Sequence, residues 1–396
     1  MGVYSEYIDA GLTIQQLLKE RQAQLKRISE HRKRDVLVFA ADLNKGRLPT
    51  IMHYADLLPF RDQLSNLNGK ALDLILETPG GYAETAEDIV GLLRAKYDDI
   101  AVIVPGAAMS AGTILAMAFD EILMEPASSL GPIDAQLTWQ GKSFSADALL
   151  QGVQRIKDEV DKSGTLNKAY IPILQGISPG DLQNAENAQA FGQTLVTDWL
   201  ARYKFRTWIK HTSTGLEVTT EEKQVRAKQI AAQLVSHSHW LTHARSIKLT
   251  DLEKMRVKIT DYSKDPVLAD AIGRYYTLMA LTFDNQIENN GVPSTIYKLF
   301  ETSTSLIMKI QPLGGQQATS PPPKQESVIL EAECTNTKCK AITKLQVNLD
   351  KSKQLESGLH RFPSNSTLKC PKCGTKSDLS AARAEIERAT GQHVVA

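Results

Sequence analysis

The sequence predicts an α/β protein with a parallel-sheet core and a helical second half, followed through a linker by a small cysteine-bearing module. Three observations carry this. Short apolar runs alternate with helical stretches from Asp35 to Val104; the pattern from Ala146 to Phe283 is largely helical; and all four cysteines, Cys334, Cys339, Cys370 and Cys373, lie beyond a Pro/Gly-rich stretch. Strands alternating with helices imply crossover connections and a parallel sheet covered on both faces.

Taken in order, residues 1–34 hold an amphipathic helix, since Ile14, Leu17, Leu18, Leu25 and Ile28 recur at helical spacing between Leu12 and Arg34. It either covers the main domain or docks a partner. The main domain, 35–310, opens with apolar runs at Val36–Ala41, Leu72–Glu77 and Ile100–Val104, separated by helical stretches at Tyr54–Leu67 and Thr85–Tyr97. A further strand is expected at Glu121–Glu125. Helices are then expected over 146–163, 181–211, 219–239, 251–255 and 265–283.

Residues 311–327 read as a linker, because glycines loosen it and Pro321 to Pro323 favour an extended chain. The cysteine module spans 328–378, with strands expected at Ala341–Leu349 and near Leu355–Phe362. A closing helix and tail occupy 379–396, the helix over Leu379–Thr390.

Lys plus Arg number 46 against 45 Asp plus Glu in 396 residues, a balance that argues against a duplex-coating or strongly acidic protein. The uncharged run Ala101–Phe119 has nearly the ~20 residues a membrane helix needs. Pro105-Gly106 divides it into a β-branched strand and a small-residue helix, so no membrane span is expected. The start MGVYSEYIDAG shows no basic region followed by an apolar one, and a cytoplasmic chain is expected.

The chemistry concentrates between Leu72 and Leu137. One strand runs into Pro79-Gly80-Gly81 and a helix; the next runs into Gly106-Ala-Ala-Met-Ser-Ala-Gly-Thr113, placing Ser110 among small residues at a helix mouth. Adjacent parallel strands bring both turns to the ligand-binding edge of such a sheet. A serine there can attack a carbonyl while the Gly81 and Ala111 N–H groups hold the developing oxyanion. A serine at that position can equally be a simple helix cap.

These stretches, LDLILETPGGYAETAEDIVGLLR and IAVIVPGAAMSAGTILAMAFDEILMEPASSLGPIDAQL, closely resemble the serine dehydrogenase proteinase family of the Clp protease and crotonase superfamily. The similarity extends over roughly residues 35–300, through TLVTDWLARYKF and Thr242-His-Ala-Arg-Ser-Ile247. Gly80, Gly81, Ser110, Ala111 and Gly112 fall on the matching motifs. The resemblance implies a Clp/crotonase-type spiral core, a Ser110 nucleophile, peptide or protein substrates and homo-oligomerisation. It does not imply amino-acid dehydrogenation, because the chain carries no glycine-rich dinucleotide loop, and it has no Gly-x4-Gly-Lys-Ser/Thr motif for ATP. Alternatives are a crotonase-like acyl-thioester enzyme and an inactive Clp-fold scaffold.

The general base stays open. Clp-type proteases have a histidine about two dozen residues after the serine, where this chain reads Ser129-Leu-Gly-Pro-Ile-Asp134. Asp134 can orient a base or simply brace its loop. Lys204, or Lys168, can act if burial lowers its pKa. His243 is the third candidate, with His237 and His239 nearby.

In the last module Cys334-x4-Cys339 and Cys370-Pro-Lys-Cys373-Gly374 offer four thiolates for tetrahedral Zn2+, which would supply folding energy to a small module. The pattern resembles a zinc ribbon with a loose first pair. Lys338, Lys340, Lys344, Lys351, Lys353, Lys369, Lys372 and Lys376 make it basic, so a protein or nucleic-acid partner is expected there.

Overall fold

The computed structural model describes residues 2–139, 142–313, 326–350, 353–390 and 393–395. The chain forms two compact units, Met1–Gly314 and Gly315–Ala396. Most of the linker expected at 311–327 lies outside the described residues.

The first unit is built on an eight-stranded sheet. Strands β1 (Asp35–Ala41), β2 (Ala71–Glu77), β3 (Asp99–Val104), Glu121–Met124 and Thr260–Asp261 run parallel in that order. The register sets Phe39 opposite Leu76, Leu74 opposite Val102 and Val102 opposite Ile122. Strands β1 to β3 are apolar at most positions because both faces are covered. Successive side chains point to opposite faces. Leu37, Phe39, Leu74, Val102 and Ile122 enter one core with helices α3 (Leu57–Ser65), α4 (Ala83–Arg94) and α5 (Ala111–Ala116). Val38, Ala40, Ile75, Ile103 and Leu123 enter the other, under α2 (Ile14–Arg32), which follows the short α1 (Val3–Ala10), and the helix Pro266–Asp284. The run Ala101–Phe119 is thus strand, turn and helix; among the described residues no helix is long and apolar enough to cross a membrane.

Helix α2 begins at Ile14, later than Leu12, because Thr13 caps it: Gln16 N–H donates to Thr13 Oγ1 at 3.3 Å and Thr13 N–H to Gln16 Oε1 at 2.8 Å. The helix belongs to the first unit and buries Arg21, which donates to Glu301 Oε2 at 3.0 Å and also to Thr282.

The helical second half departs from expectation in two places. The helix expected over 181–211 is Pro179–Trp199, followed by a π-helical turn at Leu200–Lys204, after which the chain leaves the helix. Residues 286–312, not expected as sheet, form three antiparallel strands, Gln286–Asn289, Val292–Glu301 and Leu306–Pro312, of which Val292–Glu301 pairs with β1. The other helices lie close to expectation, with α6 at Ala146–Ser163 and others at Thr220–Val235, Leu249–Lys254 and Pro266–Asp284.

Among its described residues the second unit holds a three-stranded sheet, a two-stranded hairpin and a helix. Ser327–Glu333 pairs antiparallel with Ile342–Asn348, and Thr367–Lys369 with Lys376–Asp378. The strand expected near 355–362 shrinks to His360–Arg361, while helix Ser380–Thr390 closes the unit as expected.

Candidate active site and metal centre

The turns that leave β2 and β3 are joined backbone to backbone. Thr78 N–H donates to Ala107 O at 2.9 Å and Met109 N–H to Thr78 O at 3.0 Å. Beneath them Glu77, 3% exposed, accepts from Gly106 N–H at 3.1 Å and Ala107 N–H at 2.9 Å, with the Tyr276 hydroxyl 3.4 Å away. Burial drives the Glu77 carboxyl up to about 8 even though these donors pull it down. Sequence reading missed this residue; its signal was a carboxylate closing the apolar run Leu74–Leu76, two residues before Pro79-Gly80-Gly81.

This framework delivers Ser110 in a strained conformation, φ 50° and ψ −115°, immediately before α5. The Ser110 hydroxyl caps nothing: no side-chain cap bond forms on that helix. A carbonyl brought to Ser110 meets two unused donors, since neither Gly81 N–H nor Ala111 N–H bonds an acceptor among the described residues. The two glycines make this approach possible. At Gly80, φ 102°, a Cβ would lie 2.7 Å from Met109 O and from Ser110 Cβ; at Gly81 it would lie 2.3 Å from Met52 O. Ser110, Gly81 and Ala111 open into a cavity of about 680 Å³ whose walls include Ile51, Ile114, Ile133 and Phe191, with Tyr82, Glu84, Gln136 and Asn187 as polar members.

The three candidates for the base separate. Asp134, 1% exposed, lies between two cavity-lining residues, but its carboxylate turns to two histidines: His243 Nδ1 at 2.6 Å from Oδ1 and His237 Nδ1 at 3.0 Å from Oδ2. Burial pushes the carboxyl up, yet hydrogen bonds from His243, Ser145 and His237 and the nearby His243 charge outweigh it, and its pKa falls below the ordinary value. Each imidazole is bound through Nδ1. Among the described residues neither histidine hydrogen-bonds Ser110 or lines its cavity.

Lys204 lies elsewhere. Its ammonium reaches Asp120 O at 3.4 Å, beside Glu121 where the strand Glu121–Met124 begins, so it sits at the entry edge of the parallel sheet, whereas Ser110 follows the exit of β3. Burial lowers its pKa to about 8, as the lysine reading required, but the structure does not bring it to Ser110. Lys168 stands on the outside of a short 3-10 turn, Lys168–Tyr170.

In the second unit each cysteine pair occupies a hairpin knuckle. Cys334 N–H donates to Ala341 O and Cys370 N–H to Thr375 O, both at 2.9 Å. The wider first spacing is taken up by a turn in which Cys339 N–H reaches Asn336 O at 2.8 Å. The four Sγ atoms lie within 4.8 Å of one another, at 3.5 Å for Cys334–Cys373 and 3.9 Å for Cys339–Cys370, and all four cysteines are free. A tetrahedral Zn2+ with Zn–S near 2.3 Å demands sulfurs about 3.8 Å apart, so the set fits such an ion. These four residues can hold a metal ion.

Residues 6–171 match the family of ClpP-like SDH-type serine proteinases, the family the motifs of residues 72–137 point to. The match stops short of the downstream stretches, including Thr242–Ile247, on which the resemblance was also read. Two uncharacterized proteins of Methanocaldococcus jannaschii are similar over short segments. One, MJ0137, is 47% identical over 86 residues, 22% of this chain and 29% of that protein. The other, MJ1495, is 35% identical over 88 residues, 22% of this chain and 30% of that protein. The chain thus spans less than a third of the length of either relative.

Among solved structures, a mutant of the 1510-N membrane-bound stomatin-specific protease is 15% identical, with 61% of this chain and 85% of that chain covered and a TM-score of 0.32. A second mutant of that protease, in complex with a substrate peptide, is 25% identical over 35% of this chain and 58% of its own, with a TM-score of 0.21. A probable enoyl-CoA hydratase/isomerase from Mycobacterium abscessus is 16% identical over 41% and 86%, also at 0.21.

Proposed function

We propose that this chain, whose residues 6–171 match the ClpP-like SDH-type serine proteinases, is a serine peptidase acting through an acyl-enzyme on Ser110. The observation that carries the reading is the strained Ser110 beside the two unused N–H donors of Gly81 and Ala111. Ser110 Oγ attacks the peptide carbonyl carbon and its proton passes to a base. The carbonyl oxygen, now negative, is held by Gly81 and Ala111 N–H. Collapse breaks the C–N bond, the amine leaves with that proton, and water then releases the carboxylic acid and restores the serine hydroxyl.

The base assigned here is His243. Its Nδ1 contact with Asp134 holds the tautomer that leaves Nε2 free to accept a proton. Because the imidazole does not touch Ser110 in this state, the assignment requires approach when substrate binds, as catalytic hydrogen bonds often tighten only in the complex. The apolar walls of the Ser110 cavity suit an apolar side chain of the substrate.

The second unit is read as a zinc ribbon in which Cys334, Cys339, Cys370 and Cys373 hold structural Zn2+. Bound zinc stabilises the two knuckles and takes no part in hydrolysis. The lysine-rich module would recruit substrate or a partner protein or nucleic acid, and homo-oligomerisation in the cytoplasm completes the proposal.

The test is a library of fluorogenic peptides, each with a different residue before the reporter amide, given to the full-length protein and to Ser110→Ala. Hydrolysis of the apolar members by the first and not the second is expected. Equal turnover by both would remove Ser110 from the reaction, and absence of turnover with thioester hydrolysis present would favour the acyl-thioester alternative.

A further inference from the structure

A second cavity of about 680 Å³ opens at the strand-entry edge of the sheet, on the side away from Ser110. Four cations line it. Lys204 comes from the end of the π-helical turn, Arg226 from the helix Thr220–Val235, and Arg256 and Lys258 from the segment leading into Thr260–Asp261. Among the described residues, none of these four lies within 4.0 Å of a carboxylate.

The two acids in the wall are paired with arginines outside this set, although Asp120 Oδ1 accepts no hydrogen bond among the described residues. Asp120 is bound by Arg94 at 2.8 Å and by Arg206 at 3.1 Å; Glu121 is bound by Arg32 at 2.8 Å and by the Thr260 hydroxyl at 2.6 Å. Lys204 is the most telling member. It is 9% exposed, it carries three N–H donors, and among the described residues its one hydrogen bond is the long 3.4 Å contact to Asp120 O. A buried ammonium left so poorly bonded is costly unless something else satisfies it. Burial and the nearby Lys258 charge lower its pKa to about 8, against the pull of Glu121 and Asp120.

The remaining wall sets three aromatic rings, Phe205, Trp208 and His211, among the hydroxyl residues Thr207, Thr212, Ser213 and Thr260. Phe205 and Trp208 pack edge to face at 5.6 Å, and Trp208 and His211 at 5.5 Å, forming a continuous aromatic row beside the cations. Excess positive charge, an under-bonded buried ammonium and an aromatic wall in one enclosure of ligand size define a recognition chemistry. We propose that this cavity binds a small molecule bearing a carboxylate or phosphate on a flat apolar body, with Lys204 and Arg256 on the anion and Trp208 against the body. The site is separate from the Ser110 cavity, and the proposal does not rest on the peptidase reading.

The probes are benzoate and phenyl phosphate, titrated into the full-length protein while tryptophan fluorescence is recorded. A saturable change is expected with at least one probe; a stronger response to benzoate assigns a carboxylate, and a stronger response to phenyl phosphate assigns a phosphate. Lys204→Met and Arg256→Gln should each weaken binding by about tenfold or more, the worth of a charge-assisted hydrogen bond. Trp208→Phe should remove the signal, and Ser110→Ala should leave it unchanged. Arg256 is exposed, so Arg256→Gln decides the matter if Lys204→Met does not fold. Unchanged affinity in the folded variants would overturn the proposal. So would absence of saturation with both probes, or binding confined to long polyanions such as RNA or acidic peptides.

Discussion

Oδ1 of Asp134 lies 2.6 Å from Nδ1 of His243, although the two residues are 109 positions apart in the chain. In the proposed mechanism this contact is the orienting half of a nucleophile–base–acid relay, built on the loop whose neighbouring residues line the Ser110 cavity. Asp134→Asn should preserve the fold but favour the wrong tautomer of His243, lowering the rate of hydrolysis by roughly 10³-fold or more. His243→Ala should be as damaging, whereas His237→Ala should cost much less. Peptidase rates for the three variants, with circular dichroism as the folding control, check this.

Glu77 makes stability depend on pH. Its folded pKa, about 8, is raised above the ordinary 4.5, so the stability it contributes is complete below the ordinary value and is lost as pH rises through about 8. Over that window the slope approaches about −1.4 kcal/mol per pH unit. Glu77→Gln, which keeps an acceptor for Gly106 and Ala107 N–H, should flatten it. Urea midpoints across the window for both proteins provide the measurement.

Gly80 has no room for a methyl group, since a Cβ would press on Met109 O and Ser110 Cβ at 2.7 Å. Gly80→Ala should therefore displace Ser110 and lower hydrolysis by about 10²-fold or more, as for loss of an oxyanion donor, with the apolar core intact. An unaffected rate would show that the turn does not position the nucleophile.

Removal of metal should unfold the second unit, whose apolar core is small. Purified protein should carry one zinc per chain, and a strong chelator should release it together with the protection of the four thiols. Cys370→Ser should prevent stoichiometric zinc binding. Metal analysis combined with thiol titration distinguishes this from a module that folds without an ion.

Arg21 and Glu301 are both buried and joined at 3.0 Å, with the Tyr275 hydroxyl also on Glu301 at 3.0 Å. Arg21→Met leaves the carboxylate without its counter-charge and should destabilise the first unit by about 3–5 kcal/mol, measured by denaturant unfolding.

The parallel core was legible because β2 and β3 are short apolar runs buried on both faces, each ending at an unmistakable glycine turn. The strands at 286–312 were missed although Asn290 and Gly291, at φ 51° and 77°, form the positive-φ pair that marks a tight hairpin. The helix expected to reach His211 ends with the turn Leu200–Lys204, and beyond it Phe205 and Trp208, which keep the apolar pattern going, pack on each other against the core outside any helix. Periodicity also carries no information about sheet edges, so Lys204 could be read near Ser110 when it belongs to the opposite edge. The Asp134–His237–His243 group joins residues more than a hundred positions apart, and no local spacing encodes that meeting.

The central claim is that Ser110 is an activated nucleophile. The most direct measurement is the intact mass and adduct position after reaction of the zinc-loaded protein with a fluorophosphonate probe, beside Ser110→Ala. The account predicts one adduct, on Ser110, slowed in Asp134→Asn and absent in Ser110→Ala. No adduct on folded protein at neutral or alkaline pH, or an adduct that persists in Ser110→Ala, would contradict it.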